Sequence, residues 1–380
     1  MALKKLGLGL AIAAAFALTA CNKEPAQETK PAVDPEAAKV LHVFNWSDYI
    51  DDAVLQDFEK ETGIKVVYDV FDSNEVLEAK LLAGSTGFDI VVPSSQFMGR
   101  QIQAGVFQPL DKSKLSNWNN LNVAQMKLLE AYDPGNQYSI PYLWGTTGIG
   151  YNVKRLKEIF GENPPVDSWD LVFKPENMEK LKKANCGVAM LDAQSEIMAP
   201  ALNYIGKDPN SLNEADYVEA GAMLEKVRPY ITYFHSSKYI NDLANGDICV
   251  AVAWNGDIGM AATRAEEAQN GIEIAFNIPK EGTEMWFDMM AIPKDAKNVE
   301  GAHLFINYIL RPDVIAKISN FVTYANANDA SLPMVSDEVK NNPTTYPPAD
   351  VMAKLWTLRI MPNEIDRAMT RIWTKVATGQ

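Results

Sequence analysis

From Val40 onward, short apolar runs alternate with amphipathic stretches in a regular order. Val40-Leu41-His42-Val43-Phe44 is rich in β-branched and aromatic residues and predicts a strand. The following stretch places Val54, Leu55 and Phe58 on one helical face and meets a stop at Gly63. Ile64 to Val70 predicts a second strand. Asp72-Ser73-Asn74-Glu75 fits a capping box, with Asp72 accepting from a helix N–H and Glu75 reaching back. Its helix carries Leu77 and Leu81 four apart and ends at Gly84. Phe88 to Val92 is too apolar to face water and predicts a buried strand of a parallel sheet. This β-α-β-α-β order predicts an α/β, doubly wound lobe.

Sheets of that kind bind ligands beyond the carboxyl ends of their strands. Trp46 to Tyr49 follows the first strand, and Pro93-Ser94-Ser95 follows the third. Ile248 to Ala253 is another buried-strand run, and Trp254-Asn255-Gly256-Asp257 stands at its end. Asp257 is placed either to cap a helix starting near Ile258 or to face a ligand. Ser139 to Asn152 predicts an extended crossover whose glycines, Gly145, Gly148 and Gly150, permit φ/ψ change. A second crossover is expected from Met285 to Ile292, through Trp286-Phe287-Asp288. Two extended crossings suit a hinge between lobes, and about 340 residues is too many for one comfortable core. The expected division puts 40–145 with 285–325 in an N-lobe, and 146–284 with 326–380 in a C-lobe.

The N-terminus bears on location. Met1 to Lys5 is a short basic region, and Leu6 to Ala20 is an uncharged apolar run, so residues 1–20 have the plan of a secretory signal. The run ends Leu18-Thr19-Ala20-Cys21, which resembles the lipobox of bacterial lipoproteins. That resemblance implies cleavage before Cys21 and lipid attached to it; simple cleavage after Ala20 is the alternative. Two or more acyl chains hold a protein on a membrane without a spanning helix. Residues 21–39, with three prolines and no apolar periodicity, predict a flexible tether. Cys186 and Cys249 remain as a pair in an oxidising compartment, where a structural disulfide is expected and two free buried thiols are the alternative.

The net charge is −14, and more negative once Lys4 and Lys5 leave with the signal. Nucleic-acid binders need a basic footprint, so that class is excluded. His42, His235 and His303 are scattered, without metal-ligand spacing, and neither a Walker loop nor a Gly-x-Ser-x-Gly elbow occurs. No metal or cofactor is expected. What recurs instead is an indole beside a carboxylate, in Trp46-Ser47-Asp48-Tyr49, Trp254 to Asp257 and Trp286 to Asp288. A lone tryptophan of this kind is more often core packing. Brought together, the three clusters would make an aromatic and acidic box for an elongated organic cation. Paired carboxylates lined by Trp and Tyr also suit a surface glycoside hydrolase, the enzymatic alternative.

Leu41 to Ile50, Phe88 to Ser94, Trp254 to Asp257, Trp286 to Asp288 and Tyr324-Ala325-Asn326-Ala327 together resemble the polyamine-binding proteins of bacterial ABC transporters. The resemblance implies a bilobed periplasmic-binding-protein fold, type II, with two interlobe crossovers and the ligand in the cleft. It implies a non-enzymatic periplasmic receptor that delivers putrescine or spermidine to a permease and its ATPase at the inner membrane; a monomer is expected. By the same resemblance the aromatic box falls on Trp46, Tyr49, Trp254, Trp286 and Tyr324, and the acidic contacts on Asp48, Glu196, Asp257 and Asp288. Ser47 and Ser94 match positions that contact the terminal amine. Cys186 and Cys249 match a disulfide of some putrescine-type members. Trp286 leans toward spermidine, whereas Ser47, Asp48 and Ala193 look like putrescine-type sequences, so the expected ligand is a di- or triamine. Receptors of the same fold for sugars or ferric iron are the alternatives. A neutral sugar has no need of four acids, and Tyr49 with Tyr324 is thin support for ferric ligation. An amino-acid receptor wants an arginine near the clusters, where Arg100 is the one candidate.

Overall fold

β-Branched and aromatic runs become strands here wherever both faces can be covered. A computed structural model describes residues 37–379. Its strands are β1 (Val40–Trp46), β2 (Lys65–Phe71), β3 (Ile90–Val91), β4 (Ser139–Asn152), β5 (Val188–Met190), β6 (Tyr233–Phe234), β7 (Val250–Trp254), β8 (Ile274–Asn277), β9 (Thr283–Ala291), β10 (Ala325–Asn326) and β11 (Leu355–Trp356). β1 pairs in parallel with β2 and β3, a pairing that the helical crossovers between them make possible. The helices between them, Asp52–Thr62 and Asn74–Ala83, bury Val54, Phe58, Leu77 and Leu81 against the sheet. Gly63 closes the first in the left-handed region at φ 72.

One cap differs from the sequence reading. Ser73, not Asp72, caps the second helix, accepting from Val76 N at 3.2 Å. The hydroxyl sits one residue nearer the helix, which leaves the Asp72 carboxylate free to face the cleft.

The strand order β2-β1-β3-β9-β4-β7-β5-β6 hides a division at β4. Residues 139–146 of β4 pair with β9, and Leu143 and Trp144 also pair with β10. Residues 147–152 pair with β7 and β8 instead. One half-sheet is therefore built around β1–β3 and the other around β5–β8, with β4 and β9 crossing between them. This is the bilobed α/β plan with two crossovers.

The glycines of β4 have a packing role. None of Gly145, Gly148 or Gly150 adopts positive φ. Each lies where a Cβ would overlap a neighbour: Gly145 against Asn255 and Trp286, Gly148 against Phe276, Gly150 against Ile258. They let the crossover lie flush against these side chains. Cys186 and Cys249, beside β5 and β7, are joined by a disulfide with Cα atoms 5.4 Å apart. The signal segment, Cys21 and the tether up to residue 36 lie outside the described residues; Ala37–Lys39 is a 3-10 turn leading into β1. Among the described residues, no helix is long and apolar enough to cross a membrane.

Candidate ligand-binding site

Strand ends deliver the site. β1 ends at Trp46 beside Phe71 at the end of β2, and the two rings pack 4.6 Å apart. The Trp46 indole N–H donates to Val92 O at 2.9 Å, which fixes the ring over the end of β3. β7 ends at Trp254, whose ring meets Trp46 edge-on at 5.5 Å. Trp286, on the crossover β9, stands edge-on to Trp254 at 6.4 Å and lies 5.4 Å from Tyr324. Tyr49 ends the row, edge-on to Tyr324 at 5.2 Å. Five buried rings thus form a continuous aromatic wall along the cavity. Edge-to-face packing of this kind holds each ring rigid while leaving faces turned inward.

Two of the aspartates lining the cavity, Asp257 and Asp288, come from different elements, and each is gripped by two hydroxyls. Asp288 on β9 accepts from Ser94 Oγ at 2.6 Å and Tyr49 OH at 2.8 Å. Ser94 is itself held by Asn74, which donates to its Oγ at 3.0 Å and accepts from its backbone N–H at 2.9 Å. Asp257 accepts from Tyr324 OH at 2.6 Å and Tyr239 OH at 2.5 Å. It lies inside the first turn of the helix Asn255–Glu267, whose cap position is Trp254. Asp257 is therefore not the cap; its carboxylate is committed to the tyrosines. Glu196, in the first turn of the helix Gln194–Tyr204, accepts from the Trp254 indole N–H and from Thr147 Oγ1.

Burial pushes the carboxyls of Asp257 and Asp288 up to about 7, and the hydroxyl donors only partly offset it. Glu196 is raised as well, chiefly by burial. Among the described residues lining the cavity there is no Lys, Arg or His. The site is a buried acidic cage with no cation among its described lining residues, and Arg264 reaches Asp257 only electrostatically, from the rim.

All the sequence-predicted contact residues line this cavity except Asp48. Ser47, whose backbone N–H donates to Phe71 O at 3.0 Å, and Tyr49 reach it from either side of Asp48. Asp48 itself adopts φ 53 and sits at the rim, 40 % exposed, paired at 2.7 Å with Arg264 of the helix following β7. Arg100 stands apart from the cage, paired with Glu78 and Asp366. Phe71, Asp72 and Ser236 line the cavity without having been picked out from sequence. Phe71 and Asp72 stand at the end of β2, so the strand-end rule applied to that strand would have found them. Tyr239 and Glu284, which act on the aspartate and glutamate from behind, carry no sequence signal. Among the described residues, no group of three His, Cys, Asp or Glu side chains is arranged to hold a metal ion.

Comparison with known proteins fits this geometry. A family model described as bacterial extracellular solute-binding protein matches residues 53–347. The chain is 61 % identical over 343 residues to the putrescine-binding periplasmic protein PotF of Escherichia coli (strain K12), covering 90 % of this chain and 92 % of that one. It is 57 % identical over 342 residues to the putrescine-binding periplasmic protein SpuD of Pseudomonas aeruginosa (strain UCBPP-PA14), covering 90 % and 93 %. Among solved structures, the spermidine/putrescine ABC transporter substrate-binding protein PotD of Streptococcus pneumoniae superposes with a TM-score of 0.70 at 28 % identity, covering 90 % of this chain and 99 % of that one. The chain belongs to the bacterial extracellular solute-binding protein family.

Proposed function

We propose that this chain is the substrate-binding protein of a polyamine ABC transporter, capturing putrescine or spermidine in the cage and delivering it to a permease. The observation that carries the proposal is the pair Asp257 and Asp288. Both are buried, both are oriented by two hydroxyls, and no described Lys, Arg or His lines the cavity with them. A primary ammonium brings three donors and a charge, which is what each carboxylate lacks. The rings account for the methylenes between two such ammoniums and add cation–π attraction of about 0.5–2 kcal/mol per contact. The polyamine names of the curated relatives support the same ligand class.

The protein acts as a carrier, not a catalyst, in the periplasm, with Cys21 as its lipid anchor. The proposed lobes are 40–145 with 285–325 and 146–284 with 326–380. Packing of the helix Asn363–Thr378 on Glu214–Val227 supports the second, whereas Asp329–Met334 packs on Pro312–Val322 of the first. Closure of the lobes expels water and strengthens each electrostatic contact, so the ligand must prefer the closed state.

A thermal-shift panel tests the ligand class, because a ligand that binds only the folded protein raises its melting point by mass action. Putrescine and spermidine should raise it, while sugars, amino acids and ferric salts leave it unchanged. A rise with a sugar or ferric salt and none with either polyamine would sink the proposal.

The cage also depends on a glycine. A Cβ at Gly256 would lie 2.4 Å from the Tyr324 ring. Gly256→Ala should therefore push Tyr324 off Asp257 and weaken putrescine binding by about 1–3 kcal/mol, about fivefold to 150-fold in Kd. Calorimetric titration reads it; an unchanged Kd would mean that Tyr324 is not part of the binding wall.

A further inference from the structure

Glu284 lies behind the cage on β9, 1 % exposed and outside the cavity lining. It shares one hydroxyl with Glu196: Thr147 Oγ1 is 2.9 Å from Glu196 Oε2 and 3.1 Å from Glu284 Oε1. A threonine hydroxyl has one proton, so it donates to one of these oxygens and must accept from the other. Glu196 Oε2 already accepts from the Trp254 indole, which marks it as the acceptor. The remaining contact then requires a proton on Glu284. Its second oxygen, Oε2, is buried without a partner, an environment hostile to a carboxylate.

We infer that Glu284 is a neutral carboxylic acid that donates to Thr147, which donates to Glu196, so that Glu196 stands ionised at the cavity wall as the seat for a third ammonium. The inference rests on the polyamine reading above and adds the basis for accepting triamines. A diamine uses Asp257 and Asp288; a triamine needs one more negative charge. Glu284 is a positioning residue that touches no ligand. Burial and then the neighbouring Glu196 charge hold the Glu284 carboxyl well above the usual range. Hydrogen bonds to Glu196, from Glu284 directly as well as from Trp254 and Thr147, in turn hold it down against the upward push of burial. The other titratable groups facing the pair are Glu75, Asp288 and Tyr239 toward Glu196, and Tyr132 toward Glu284. None is a cation, so a polyamine ammonium is the positive charge this corner awaits.

Two measurements test this. Infrared spectroscopy of the ligand-free protein at pH 9, where Asp257, Asp288 and Glu75 are ionised, should show a neutral-carboxyl C=O stretch that disappears in Glu284→Gln; no change in the band would overturn the inference whatever the ligand proves to be. Calorimetry then compares Glu284→Leu, which removes the donor, with Glu284→Gln, which keeps one. Glu284→Leu should raise the spermidine Kd tenfold or more at pH 7 and the putrescine Kd less than threefold. The lost spermidine affinity should return as the pH is raised, and Glu284→Gln should restore most of it at pH 7. Equal losses for both amines would make Glu284 merely structural, and equal losses in both variants would mean that it acts as a charge. Should Glu284→Leu not fold, the band and the Gln variant decide alone. Failure of the polyamine reading looks different, since wild-type protein would then bind neither amine.

Discussion

Replacing Asp288 by Asn is expected to weaken putrescine binding by about 2–5 kcal/mol, roughly thirtyfold to several thousandfold in Kd. Asn keeps the size but removes the charge, so an ammonium brought into the dry cage is left underpaired. Ser94 and Tyr49 both donate to this carboxylate, so they also lose their acceptor geometry. The same substitution should stabilise the ligand-free protein at pH 8. A carboxyl raised to about 7 by burial is, at that pH, a charge the fold must carry without compensation. Loss of affinity with a gain in melting point is a combination that simple unfolding cannot imitate. Asp48→Asn is the contrast. Its ion pair with Arg264 is at the exposed rim, and such pairs contribute about 0–1 kcal/mol. Equal effects of the two substitutions would refute the assignment.

Putrescine affinity should fall steeply as the pH drops below about 7, because protons then compete with the ammonium groups for Asp257 and Asp288. Two pH units below that midpoint, each aspartate contributes about a hundredfold. Stability of the ligand-free protein should move the other way. The folded-state values lie above the unfolded value of about 4, so the folded protein binds protons more tightly. Stability is then gained as the pH falls from about 7 toward 4 and lost as it rises again. Glu75, also raised to about 7 chiefly by burial, adds to the same trend. Melting curves with and without putrescine between pH 5 and pH 8 would show the two trends converging. A flat melting point together with a flat Kd would show that these acids are ionised throughout.

The sequence made the plan of the fold legible because buried parallel strands and their helices leave periodic apolar runs, as Val40 to Val92 does. The crossovers were legible too: an extended run of fourteen residues ending at Asn152 has few other uses. Trp46, Trp254 and Trp286 could be placed because each stands at or near the end of a predicted strand. Asp48 could not be separated from Ser47 and Tyr49, since its exclusion from the cavity depends on a single backbone angle in the left-handed region. Nor could Asp72 be told from a cap, because one residue of offset decides whether Ser73 or Asp72 reaches the helix N–H groups. Tyr239 and Glu284 were invisible for another reason. Their roles come from contacts across 18 and 137 residues of chain, which no local pattern encodes.

The central claim is that one diamine spans Asp257 and Asp288 within the ring of aromatic walls. A crystal structure of the putrescine complex tests it most directly. The account predicts one ammonium about 3 Å from an Asp288 carboxylate oxygen and the other similarly placed on Asp257, with the methylenes along the indole walls. A diamine bound elsewhere, or inside the cage with neither aspartate in contact, would contradict it.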